Sequence, residues 1–330
     1  MVDPSLLLIL VVALALLFDF SNGWHDSANA IATVVSTHVL SPGQAVLLAA
    51  LLNIAGAFMS TAVAKMIGGG IVEASLINQF TVMAALIGAI TWNLFTLILG
   101  LPTSSSHALI GGIIGAALAQ SGWSAIKLSG LRAVLEALLL SPFLGFVLGY
   151  FFILAIYWSV FQVARGIANR SFRRLQLVSA SLMAFSHGAN DAQKAMGIVT
   201  LALVSAGQLD RMVVPTWVIL SCALAMGLGT AAGGWRIIRT LGMRIIKMEP
   251  VHGFAAETSA ALILLGTAHF GMPVSTTHTI TSSIMGVGAV TRLSAVRWGV
   301  SLRIVYAWIF TLPGAGLVAY ALNLALQTLR

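Results

Sequence analysis

Asp26 and Asp191 each sit inside a long apolar stretch, and each belongs to a pattern that occurs twice. The first copy reads Phe20-Ser21-Asn22-Gly23-Trp24-His25-Asp26-Ser27-Ala28-Asn29-Ala30. The second reads Phe185-Ser186-His187-Gly188-Ala189-Asn190-Asp191-Ala192-Gln193-Lys194-Ala195. A carboxylate placed deep in apolar sequence is costly and marks ion or proton handling. The glycines beside both aspartates are places where a helix can break. Carbonyls freed there, with the carboxylates and the side-chain oxygens of Asn29 and Asn190, make an oxygen cage for a small cation. The bland alternative for each Asp is a helix-end carboxylate at the water interface. His25 and Asn22 in the first motif are accessory candidates. Lys194 takes the place of Asn29 in the second and has three open readings: it attracts an anion, neutralises Asp191, or forms a purely structural ion pair.

A second block also recurs. Gly100-Leu101-Pro102-Thr103-Ser104-Ser105-Ser106-His107 matches Gly271-Met272-Pro273-Val274-Ser275-Thr276-Thr277-His278. Proline followed by hydroxyl residues signals a helix N-terminus. There the free N–H groups and the positive end of the helix dipole favour an anion. Ser104, Ser105, Ser106, Ser275, Thr276 and Thr277 add neutral donors, so two such termini facing each other suit one tetrahedral oxyanion. Ordinary capping and tight packing by small residues is the alternative. His107 and His278 close the blocks as hydrogen-bonding candidates. Ser106 with His107 also admits a different class, an intramembrane hydrolase, but no carboxylate lies nearby in sequence to orient the pair, and both copies carry it. Asp19 and Glu257 fall in apolar surroundings too. Asp19 shares a face with Asp26 if the helix is continuous, and Glu257 is a further candidate for the cation site. Glu73, Glu136, Asp210 and Glu249 fall near predicted loops or helix ends and read as solvated charge.

The elements that position these residues are membrane helices. The chain has 330 residues, 59% hydrophobic and only 8% charged, against about 25% charged in a soluble domain. Its long apolar stretches approach or exceed the roughly 20 residues that a bilayer core demands. The net charge of +8 is spread over short interhelical segments, which does not describe a nucleic-acid surface. The single Cys222 excludes an intrachain disulfide. Met1 is followed almost at once by apolar residues without a basic leader region, so the N-terminus reads as the first span.

The two Asp motifs recur at an offset of 165 residues and the Pro blocks at 171, in the same order, so the chain reads as a duplication. The expected fold is an all-α polytopic membrane protein of two inverted-topology repeats, each with a broken helix and a re-entrant helical hairpin. The expected spans are helices 5–37 and 44–66, a hairpin 80–119 broken near Pro102, and a helix 133–160. In the second copy they are 175–203, 212–235, a hairpin 254–291 broken near Pro273, and 298–328. Hairpins that cross the membrane twice are the alternative. The repeats are assigned to 1–164 and 175–330, with a short basic cytoplasmic linker at 165–174. This topology gathers Arg165, Arg170, Arg173, Arg174, Arg236, Arg239, Arg244, Lys247, Arg292, Arg297 and Arg303 on one side. Lys65, Lys127, Arg132, Arg211 and Arg330 fall on the other, which makes the first side cytoplasmic and puts both termini outside.

These motifs resemble the PiT family of inorganic phosphate transporters. The likeness covers nearly the whole chain and is carried by Gly-Trp-His-Asp-Ser-Ala-Asn-Ala at 23–30, Gly-Ala-Asn-Asp-Ala-Gln-Lys at 188–194, Pro-Thr-Ser-Ser-Ser-His at 102–107 and Pro-Val-Ser-Thr-Thr-His at 273–278. The resemblance implies phosphate uptake coupled to H+ or Na+ across the cell (inner) membrane, with cations around Asp26 and Asp191 and phosphate at the hairpin tips. It also implies a homodimer and no enzymatic cofactor. His25-Asp26 stands where sodium-coupled members read Asn-Asp, and is similar to bacterial members that use protons and carry phosphate as a neutral metal complex, with divalent metal as cargo. Some animal members carry Glu where Asn53 falls, and Glu257 matches their second acidic position. The family includes sulfate permeases, so the resemblance leaves sulfate open. Chemistry separates the two anions in part: near neutral pH phosphate still carries a proton to donate to a carboxylate, and sulfate does not.

Overall fold

The computed structural model describes residues 3–328, which are helical throughout apart from loops and one isolated antiparallel bridge, Val72 to Ile126. The first copy supplies α1 (Pro4–Ser36), α2 (Pro42–Gly56), α3 (Ala62–Gly69), α4 (Gln79–Leu99), α5 (Ser105–Ser121) and α6 (Leu128–Ser159). The second supplies α7 (Arg165–Ser205), α8 (Thr216–Ala232), α9 (Trp235–Arg239, continued by a π-turn to Arg244), α10 (Pro250–His269), α11 (Thr276–Thr291) and α12 (Trp298–Gln327). Among the described residues, six helical segments are long and apolar enough to cross a membrane, seven if the bent pair α8–α9 is one span.

Three expectations need correcting. The Asp-bearing helices do not break: α1 runs through Gly23 and α7 through Gly188. These glycines instead allow close helix approach. A Cβ on Gly23 would sit 2.3 Å from the Met226 carbonyl oxygen of α8, and one on Gly188 would sit 2.2 Å from that of Asn53 on α2. The breaks fall in the next element of each copy. The expected helix 44–66 is split at 57–61, and 212–235 starts at Thr216 and bends by 60° at Gly233-Gly234. Gln193 Oε1 of α7 accepts from the N–H groups of Val63 and Ala64 where α3 restarts (2.9 and 3.3 Å). Ser27 Oγ of α1 does the same for Gly234 before α9 (2.7 Å). Finally, residues 165–174 are the opening turns of α7. The stretch 167–178 holds neither Pro nor Gly to stop a helix, and Phe172 is anchored there against Phe254, ring centroids 5.7 Å apart.

The corresponding helices α1 and α7 run antiparallel, since Thr37 bonds Gln176 (2.9 Å) while Asp26 lies beside Asp191. At one end of the molecule Lys127 N–H bonds the Ile71 carbonyl (2.9 Å); at the other, Arg297 N–H bonds that of Ile245 (2.9 Å). Each hairpin starts and finishes at one end. Tyr157 gathers the outer ends of α10 and α11 through His252 (2.8 Å) and Thr291. Gln120, near the end of α5, is in reach of Thr81 at the start of α4 (3.4 Å). The turns lie inside the protein. Gly100 (φ 67°) and Gly271 (φ 69°) take the left-handed conformation that stops the first arm. Leu101 and Met272 then bond back to the carbonyls of Thr96 and Thr267 (3.0 and 2.9 Å). Packing crosses between the copies: α5 lies on α12 and α11 on α6. Of the charges used for sidedness, Arg330 lies outside the described residues.

Candidate functional site

The two tips meet. Ser106 Oγ donates to the Val274 carbonyl (3.2 Å), the rings of His107 and His278 pack edge-to-face at 4.4 Å, and His278 stacks on Trp308 at 3.9 Å. Trp308 Nε1–H closes the contact on the Pro102 carbonyl (2.9 Å). Helices α5 and α11 therefore start deep in the protein, where their first N–H groups have no intrahelical acceptor. Ser104 and Ser275 are their N-caps, each hydroxyl oxygen accepting from His107 N–H (3.2 Å) or His278 N–H (3.1 Å). Among the described residues Ser105 Oγ is buried without a hydrogen-bond partner and faces no such commitment.

Both aspartates reach the second tip. Thr277 Oγ1 donates to Asp26 Oδ1 (3.2 Å) and Thr276 Oγ1 to Asp191 Oδ2 (3.3 Å). Asn29 Nδ2 donates to both hydroxyls (2.9 and 3.3 Å), which leaves its oxygen free of hydrogen bonds. Asp26, Asp191, Asn29, Thr276 and Thr277 are all buried, 0–1% exposed, so a bound ion there would exchange its water shell for these groups. His187 joins them: its ring with Asp26 and Asp191 offers three ligand atoms within 4.8 Å of one another, a set able to hold a metal ion. His187 Nε2 lies 3.4 Å from Asp191 Oδ2 and its Nδ1 faces Asn53 Oδ1 at 3.1 Å. Lys194 Nζ is 2.8 Å from Asp191 Oδ2.

His25 lies between Asp26 and the first hairpin. Nε2 faces Thr96 Oγ1 (3.0 Å), and Nδ1 faces Asp26 Oδ1 (2.8 Å). The Thr96 hydroxyl donates to the Trp92 carbonyl (2.9 Å) and accepts from Thr103 (3.0 Å), whose own hydroxyl lies 3.4 Å from Nε2. One proton must lie between Nδ1 and Asp26, because two lone pairs at 2.8 Å would repel.

Other candidates lie elsewhere. Glu257 occupies its own buried pocket, accepting from Thr33 (2.5 Å), Gln176 (3.1 Å) and the Ser179 hydroxyl. Thr33 is two turns from Asp26 on α1, roughly 10 Å along the axis, so Glu257 does not join the aspartate cluster. The Asn190 amide ties α7 to the Leu264 carbonyl of α10 (2.7 Å), and Asn22 turns its amide to Met226 Sδ (3.8 Å). Asp19 is fully buried on α1, one turn before Asn22 and within its reach. His187 was missed from sequence, although its spacing of four residues before Asp191 puts both on one helix face. Asn53, Thr96 and Thr103, which orient the two imidazoles, carry no local signal. Ser106 and His107 form no dyad, since the Ser106 hydroxyl is bonded to Val274.

The "Phosphate transporter family" model matches residues 22–319. A Rhizobium meliloti protein named "Probable low-affinity inorganic phosphate transporter" is 49% identical over 95% of this chain and 94% of its own length. A Bacillus subtilis protein of the same name is 48% identical over 96% of both. The solved structure titled "The sodium-dependent phosphate transporter" superposes with a TM-score of 0.91 at 25% identity, covering 98% of this chain and all of that one. Sequence match, relatives and fold agree, and this chain belongs to the phosphate transporter family.

Proposed function

We propose that the chain is a secondary active symporter of inorganic phosphate, driven by a cation gradient and working by alternating access. The observation that carries this reading is the contact between an anion-donor set and a cation-acceptor set in one buried spot: Thr276 and Thr277, opening α11, bond Asp191 and Asp26. Phosphate enters between the tips, taking donors from Ser105 and the free N–H groups of both helix starts, and from Thr276 and Thr277 as their hydroxyls turn from the aspartates to the anion. The coupling cation neutralises Asp26 beside it, with Asn29 Oδ1 as a further oxygen. Nearby carboxylates favour a protonated oxyanion over sulfate. The pairing of His25 with Asp26 favours H+ as the coupling ion, and Glu257 is a second candidate for coupling from its separate pocket.

The antiparallel course of α1 and α7 and the reciprocal packing of the hairpins support two inverted repeats, the design in which one half rocks against the other. The outer faces of α6 and α12 are apolar and exposed, with Leu139, Phe143, Phe151, Ile309 and Leu317 each at least 61% exposed, as a lipid-facing surface requires. The basic segments 165–174 and 236–247 then face the cytoplasm of a multi-pass plasma-membrane protein whose termini face outside, and a homodimer follows the family pattern. The test is uptake of labelled phosphate into proteoliposomes under separate proton and sodium gradients, with sulfate as competitor. Accumulation under a proton gradient, little affected by sulfate, is expected, and Asp191→Asn should abolish it. No accumulation under either gradient overturns the reading.

A further inference from the structure

We infer that the Lys194 ammonium is a built-in cation filling the second-copy half of the coupling site, so that the aspartate pair works with one fewer mobile cation than two vacant halves would need. This deepens the symport reading and rests on it.

The duplication makes the comparison internal. The offset of 165 pairs Asp26 with Asp191 and Asn29 with Lys194. Both carboxylates accept a hydroxyl from the same tip, Thr277 at 3.2 Å and Thr276 at 3.3 Å. In the first half, the neighbouring amide Asn29 presents a buried oxygen with no hydrogen bond, a ligand suited to a small hard cation. In the second half, the same helix position carries an amine whose nitrogen lies 2.8 Å from the carboxylate, with Lys194 and Asp191 2% and 0% exposed. A buried carboxylate needs a compensating positive charge. Asp191 already has one covalently tethered, whereas Asp26 has only His25 and the ion or proton it exchanges. Two carboxylates and one ammonium leave the pair with one net negative charge, which a single monovalent cation offsets. A divalent ion on Asp26, His187 and Asp191 would be repelled by the ammonium bound to the same Asp191 oxygen. Lysine suits this role because its charge is a compact point on a flexible stem, unlike the planar fork of arginine.

The experiment compares the full-length wild type with Lys194→Asn, which copies the first half-site into the second, and Lys194→Met, which removes the charge without supplying an oxygen. Labelled phosphate uptake in proteoliposomes is followed against sodium and against pH. Sodium binding to the same purified proteins is measured by thermal shift and isothermal titration, which does not require transport. Wild-type uptake should show an apparent order of about one in its coupling cation, and Lys194→Asn an order of about two with a sodium dependence the wild type lacks. Purified Lys194→Asn should show sodium-dependent stabilisation greater than the wild type, and Lys194→Met should show no such gain. The double variant Asn29→Lys with Lys194→Asn exchanges the two halves and should return to an order of about one. A folded Lys194→Asn protein with wild-type cation order and wild-type sodium binding overturns the inference. If the wild type accumulates no phosphate, the symport reading fails by itself, and the binding comparison still decides whether Lys194 occupies a cation site.

Discussion

Among single side chains, the two aspartates were legible because each sits in a repeated motif, and repetition is a signal the chain carries without its fold. Their partners were not. Asn29 meets Thr277 across 248 positions and His187 meets Asn53 across 134, so no local spacing announces either contact. Glu257 was legible as a buried acid, but its pocket depends on Gln176 and Ser179, polar residues unremarkable in sequence. Two predictions belong here. Thr277→Val removes a hydroxyl assigned above to the bound phosphate, a hydrogen bond to a charged group worth about 1.5–3 kcal/mol. It should therefore weaken apparent phosphate affinity roughly 10- to 100-fold by the same conversion, read from the concentration dependence of uptake. Glu257→Gln should slow net uptake severalfold while leaving equilibrium phosphate binding nearly unchanged, because Glu257 touches neither tip. A matching loss in both measurements would place Glu257 in the phosphate site instead.

Among the helices, the instructive failure was glycine. Beside a buried Asp, Gly23 and Gly188 read as breaks by local rules, yet tertiary packing decides their role: a neighbouring main chain lies where a Cβ would stand. The actual breaks, at 57–61 and at Gly233-Gly234, are capped by Gln193 and by Ser27 from the opposite copy. A helix restart capped from far away in sequence leaves little trace in its own residues. Gly188→Ala should lower the detergent melting temperature, at a cost of about 1–3 kcal/mol or more from overpacking. Gly43→Ala, where a new Cβ meets nothing within 4 Å, should leave stability unchanged or raise it by up to about 1 kcal/mol. Equal effects from both would remove close packing as the reason for Gly188.

For the whole molecule, the basic segments divide between two ends, and Cys222 is buried, so cysteine labelling has a quiet background. In intact cells an impermeant maleimide should label Ser75→Cys at the Lys127 end but reach Ser171→Cys only after permeabilisation; the reverse pattern would invert the orientation. The reciprocal docking of hairpins also bears on how the chain is made. Gly111 and Gly115 of α5 lie against the carbonyls of Leu312 and Gly316 on α12, about 200 residues later. A ribosome adding roughly 5–20 residues per second delivers that partner on the order of 10–40 s after α5 has emerged. Through that interval the first hairpin stands in the membrane with its closest-packing face uncovered. Late truncations, which remove only α12, should therefore be degraded as readily as early ones, and a one-repeat ancestor of this protein could have buried the same face only against a second copy of itself.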